Sequence, residues 1–111
     1  VIVEGAGGWL VPFNATETMA DIPKALSLDV ITVVGIRLGC LNHALLTSQS
    51  IISSGLNHCG WIANHLSTDA ARAADNINTL RARMPAPLLD EVPYGVTPLQ
   101  LENSARILLR E

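Results

Sequence analysis

The stretch Val30-Ile31-Thr32-Val33-Val34-Gly35-Ile36-Arg37-Leu38-Gly39-Cys40-Leu41-Asn42 decides the fold. Its first five residues are all β-branched, which suits a pleated strand better than a helix. A near-continuous run without in-out alternation fits a strand buried on both faces, as in a parallel sheet. Gly35 and Gly39 then lead the chain into a helix expected over about Leu41–Ser54. Leu41, Leu45, Ser48 and Ile52 would share one face of it, and Gly55 would stop it.

The same alternation continues outward from this segment. Toward the C-terminus, His58–Asn64 reads as a strand, and Ser67 or Thr68 can cap a helix carrying Ala70, Ala73, Ile77 and Leu80 at helical spacing. Pro85 and Pro87 end that helix, and Leu88–Val92 reads as a short further strand. Pro98 can open a last helix, with Leu101, Ala105 and Leu108 on one face. Toward the N-terminus, a helix is expected over Thr18–Leu26, with Thr18 as its cap. Before it, Val1-Ile2-Val3 reads as the end of a buried strand, followed by Glu4-Gly5-Ala6-Gly7-Gly8-Trp9. Strand followed by helix, repeated with short connections, predicts an α/β fold with a parallel sheet. The strand-to-helix loops Glu4–Gly8, Gly35–Asn42, Asn64–Thr68 and Pro93–Pro98 would then share one sheet edge. Ligands of open α/β sheets gather at that edge.

Composition narrows the classes. The 111 residues are 49% hydrophobic and 15% charged, enough apolar surface for a packed core and too little for disorder. A net charge of −3 argues against a nucleic-acid face, and no apolar run approaches the ~20 residues of a membrane span. Cys40 and Cys59 do not make a disulfide framework, so a reducing cytoplasmic setting is expected. The low charge also predicts surfaces covered by another subunit or by further chain. Because residue 1 is Val and a loop of functional character follows at once, the sequence is expected to be the C-terminal part of a longer chain.

Chemistry is expected on the loops. Glu4 can ligate a hard cation, but one carboxylate needs a phosphate-bearing ligand to complete a Mg²⁺ site. The sequence contains no G-x-x-x-x-G-K-[ST], so the phosphate cradle is expected elsewhere. Gly39–Asn42 opens a helix whose free N–H groups can receive a carboxylate or phosphate; ordinary capping by Asn42 is the alternative. Asn64 ends a strand, and its amide can read the edge of a nucleobase or simply serve the turn. Cys40, His43, His58 and Cys59 make a poor zinc set, because adjacent strand residues point to opposite faces.

Two long segments carry a family resemblance. Val3-Glu4-Gly5-Ala6-Gly7-Gly8-Trp9-Leu10-Val11-Pro12 and Val33-Val34-Gly35-Ile36-Arg37-Leu38-Gly39-Cys40-Leu41-Asn42-His43-Ala44-Leu45-Leu46-Thr47 resemble motifs of the dethiobiotin synthetases. Gly60-Trp61-Ile62-Ala63-Asn64 and the turn Glu91-Val92-Pro93 are similar too. The resemblance implies the C-terminal half of one P-loop NTPase-like, Rossmann-like three-layer domain that works as a homodimer. It implies ATP- and Mg²⁺-dependent closure of 7,8-diaminononanoate with CO₂ to dethiobiotin, in biotin synthesis. It assigns Glu4 to Mg²⁺, and Glu4, Gly5, Ala6 and Gly7 to the nucleotide phosphates, with Gly7 also beside the substrate. It makes Asn64 the adenine reader, with His65, Pro93, Tyr94, Gly95 and Gln100 around the base and ribose. It gives Gly39, Cys40, Leu41 and Asn42 to the substrate carboxylate, in the active site across the dimer interface.

His65 and Gln100 depart from the family's pattern, which bears on nucleotide contacts rather than on the reaction. The P-loop and the catalytic lysines would lie outside these residues, so the chain alone is expected to be inactive and poorly soluble. A cobyric-acid-type amidotransferase, a ParA/MinD-like ATPase switch and a non-catalytic interaction module are the competing readings. The first two fit less well, because Trp9 and Gly39–Asn42 are foreign to the first and a switch would usually show an Asp-rich strand end.

Overall fold

The computed structural model describes residues 1–96. The elements run α1 (Asp21–Leu26), β1 (Val30–Ile36), α2 (Cys40–Ser53), β2 (His58–His65), α3 (Ala70–Arg83) and β3 (Leu88–Val92). The three strands form one sheet in the order β1-β2-β3, and both pairings are parallel. The expected α/β alternation is therefore present. The expected last helix and Gln100 lie outside the described residues.

Helices α2 and α3 touch each other and both touch β1, so they cover one face of the sheet. Between them and the sheet lies the core. Val34 and Ile36 of β1 meet Cys40 and Ala44 of α2, Trp61 and Ala63 of β2, and Ala73, Ile77 and Leu80 of α3. Trp61 is fully buried, and its indole N–H has no acceptor among the described residues. An unmet buried donor costs on the order of 1–3 kcal/mol, which packing around the ring must offset.

Several local expectations are corrected. Val1–Val3 is not a strand; it is exposed, because no neighbouring strand among the described residues takes its backbone hydrogen bonds. Thr18 does not cap α1. The Asp21 carboxylate reaches back instead, accepting from the Thr18 N–H at 2.7 Å and Oγ1 at 3.3 Å. Those bonds to Thr18, with help from Lys24, hold the Asp21 carboxyl below its usual range. Helix α3 is capped by Asp69 rather than Ser67 or Thr68, its side chain accepting from the Arg72 N–H at 3.2 Å.

The inner face of α2 is also rotated from expectation. Cys40, Ala44, Ser48 and Ile51 are its buried residues, with Leu41 and Leu45 packed at the border of the core and Ile52 exposed. Small side chains at Cys40, Ala44 and Ser48 let the helix lie close to the sheet, which a row of leucines would prevent. Gly55 ends the helix as expected, with φ +83° and its N–H on the Ile52 carbonyl at 3.0 Å.

Candidate functional site

Parallel strands deliver their C-terminal ends to a common edge. Gly35 of β1 pairs with Asn64 of β2, which pairs with Val92 of β3, so three loops leave the sheet side by side. The Gly35–Asn42, Asn64–Thr68 and post-β3 loops therefore share an edge as expected. At Gly35 a side chain would collide with Leu66: a Cβ there would lie 2.8 Å from its Cδ1.

The start of α2 is an open helix N-terminus. Gly39 occupies the N-cap position with φ +90°, and no side chain caps the helix. Asn42 is the third helical residue, so capping by Asn42 is excluded. The Cys40 N–H is taken by the Arg37 carbonyl at 3.0 Å. The N–H groups of Leu41 and Asn42 have no acceptor among the described residues, as helix geometry requires of a first turn without a cap. This turn borders a groove of about 560 Å³ whose walls include Gly35, Arg37, Gly39, Cys40, His43 and Thr47.

The N-terminal loop reaches the same helix by another route. The Trp9 indole N–H donates to Ser50 Oγ of α2 at 3.0 Å. That bond frames a second groove of about 290 Å³, lined by Gly7, Gly8, Trp9 and Leu10 on one side and His43 and Thr47 on the other. His43 and Thr47 thus stand between the glycine loop and the open helix start. Gly7 and Gly8 have φ of +85° and +111°, a backbone that side-chain-bearing residues rarely adopt. Gly5 lies under Met19, and Glu4 is exposed with no hydrogen bond or ion pair among the described residues. The structure does not join Glu4, Gly5 or Ala6 to the strand ends through any such bond.

At the β2 end, the half-buried Asn64 side chain makes no hydrogen bond to another described residue, whereas His65 is engaged. His65 Nε2 lies 3.3 Å from Glu91 Oε2, and Arg81 donates to the other Glu91 oxygen at 3.5 Å. Pro93, Tyr94 and Gly95 follow β3 and are exposed, with Gly95 at φ +76°.

The four residues weighed as a zinc set are dispersed. Cys40 is buried in the core, His43 is exposed between the grooves, and the Cys59 thiol donates to the Val30 carbonyl at 3.4 Å. Burial first, and Asp29 second, pushes that thiol above its usual value. His58 is buried with both ring nitrogens on hydroxyls: Nδ1 is 2.8 Å from Ser48 Oγ and Nε2 is 3.0 Å from Thr32 Oγ1. This Ser–His contact resembles a nucleophile and its base, but Ser48 is 1% exposed and no substrate can reach it. Sequence reading misses the cluster. Strict alternation would put Cys59, not His58, beside Trp61 and Ala63. A register irregularity between Val30 and Ile31 resets the pattern and turns His58 toward α2.

An open α/β sheet with an uncapped helix start beside its C-terminal edge is the architecture of a nucleotide- or anion-binding domain. The family model described as an AAA domain matches residues 1–97, and the chain belongs to that family. It is 50% identical over 101 residues to a protein of Salmonella typhi named ATP-dependent dethiobiotin synthetase BioD 1, covering 90% of this chain and 44% of that protein. The ATP-dependent dethiobiotin synthetase BioD of Cellvibrio japonicus is 52% identical over 92 residues, 83% of this chain and 40% of its own length. That of Xylella fastidiosa is 46% identical over 104 residues, 91% of this chain and 46% of its own length. The chain therefore spans less than half the length of these curated relatives.

Proposed function

We propose that this chain supplies the C-terminal half of an ATP-dependent dethiobiotin synthetase in biotin synthesis. The substrates are 7,8-diaminononanoate, CO₂ or bicarbonate, and ATP with Mg²⁺. The single observation that carries this reading is the uncapped start of α2, open to a groove beside the aligned strand ends Gly35, Asn64 and Val92. It offers an anion site and a base-reading amide on one sheet edge, and relatives at about half identity bear the synthetase name.

In this reading Gly39, Cys40, Leu41 and Asn42 receive the substrate carboxylate, using the open N–H groups of Leu41 and Asn42. Glu4 takes Mg²⁺. Its exposed, unengaged carboxylate suits one hard-oxygen position, with water and nucleotide phosphate completing the shell. Gly5, Ala6 and Gly7 offer backbone N–H groups to the phosphates, and Asn64 reads adenine with its uncommitted amide. Pro93, Tyr94, Gly95 and Gln100 close around the base. His65 serves there through its contact with Glu91, which fixes the ring at the rim. The metal supplies charge neutralisation at the phosphates; this chain's residues orient the two ligands.

Homodimer formation belongs to the same proposal. Leu46 and Ile52 of α2 and Leu38 before it are exposed, which supports a subunit contact along this helix. The test is a chimera in which this chain replaces the matching part of the Salmonella typhi relative. Growth of a strain lacking its own synthetase on biotin-free medium supports the proposal. A soluble chimera that restores growth only when biotin or dethiobiotin is added contradicts it.

A further inference from the structure

His58 binds two hydroxyls from two other elements. Its Nδ1 meets Ser48 Oγ of α2 at 2.8 Å, and its Nε2 meets Thr32 Oγ1 of β1 at 3.0 Å. Ser48 is 1% exposed and His58 is 7% exposed, so the bond between them is shielded from water, whereas Thr32 is half-buried at the wall of the larger groove. The contacts tie α2 to both strands beneath it, at the level where Trp9 holds the N-terminal loop to Ser50, two residues on. We infer that Thr32, His58 and Ser48 form an acid-sensitive latch that seats α2 on the sheet. This goes beyond the synthetase reading and does not depend on it.

The chemistry follows from the tautomers. A neutral imidazole donates from one nitrogen and accepts at the other, so one hydroxyl accepts and the other donates. A protonated ring donates from both nitrogens. The hydroxyl that had been donating must turn its lone pair to the ring and send its own proton elsewhere, which for the buried Ser48 means an acceptor inside the core. Proton uptake therefore breaks a satisfied network and places a charge among apolar neighbours.

The surroundings offer little compensation. Strand β1 carries no titratable side chain. On α2 the titratable groups are Cys40 and His43, both in its first turns. On β2 they are Cys59, bonded to the Val30 carbonyl, and His65, bonded to Glu91. Asp29, before β1, is bonded by Asn57. Arg72, Asp75, Arg81 and Arg83 of α3 are exposed. Burial accordingly holds the His58 imidazole below its ordinary value of 6.5, and a Gly60 backbone hydrogen bond only partly offsets that.

A depressed histidine stabilises the neutral folded form above the unfolded value. That contribution is lost as pH falls from 6.5 down through the lower folded value. One linked proton changes an opening equilibrium by at most about tenfold per pH unit.

The experiment is amide hydrogen exchange along α2 in the soluble chimera between pH 7.5 and 5, corrected for intrinsic rates. It is run beside the all-apolar variant Thr32→Val, Ser48→Ala, His58→Leu. The wild-type opening constant is expected to rise by up to about tenfold per unit below pH 6.5, with a clearly shallower rise in the variant. Equal slopes in the two proteins would overturn the latch. If the variant does not fold, ring-nitrogen NMR of His58 in the wild type decides. A ring still neutral where free imidazole is half protonated supports the latch, and one protonated at or above the ordinary value refutes it.

Discussion

Replacing Gly39 by alanine isolates the helix start from the rest of the fold. Gly39 has φ +90° and ψ −9°, and a Cβ built on it meets nothing within 4 Å. The substitution therefore creates no clash, and its whole cost is backbone strain. Holding an L-residue in the left-handed region costs about 1–2 kcal/mol. Asparagine tolerates that region better, so Gly39→Asn should lose less than half as much. Urea unfolding of the chimera and its variants measures the stability change from the shift in midpoint at constant slope. In the synthetase reading the strained turn also tilts the Leu41 and Asn42 N–H groups, so the diamine KM rises while that for ATP stays. A neutral Gly39→Ala, or a Gly39→Asn worse than Gly39→Ala, would refute the reasoning from backbone geometry.

Three other outcomes follow from packing and burial. A Cβ at Gly60 would collide with the Leu89 side chain, so Gly60→Ala should cost about 1–3 kcal/mol, with part recovered in the double variant with Leu89→Ala; thermal melts check both. Leu80 is fully buried in the core, so Leu80→Ala should cost about 2–5 kcal/mol by denaturant unfolding. The Cys59 thiol, raised by burial and then by Asp29, should react with a thiol reagent near pH 8 more slowly than a free cysteine and faster in Asp29→Asn.

The alternation of elements was legible because it rests on local chemistry. The β-branched run at Val30–Val34, the stop at Gly55 and the prolines at 85 and 87 each act within a few residues. What stayed hidden depends on distant neighbours. Val1–Val3 has strand residues, yet strand structure requires a partner backbone that the described residues do not provide. The inner face of α2 follows from how closely the sheet and α3 approach, which favours Cys40 and Ala44 over larger side chains. The His58 network depends on a register irregularity that leaves no mark on a period-two pattern. At the candidate site, Asn64 and Gly39–Asn42 stand at the expected edge, because strand ends and helix starts follow directly from element order. The engagement of His65 by Glu91 was not legible, since it joins residues 26 positions apart.

The most direct test is ATP consumption by the purified chimera, measured with and without 7,8-diaminononanoate and bicarbonate. The account predicts turnover only when both are present, with stoichiometric dethiobiotin, and loss of Mg²⁺ response in Glu4→Gln. ATP turnover indifferent to the diamine would contradict it.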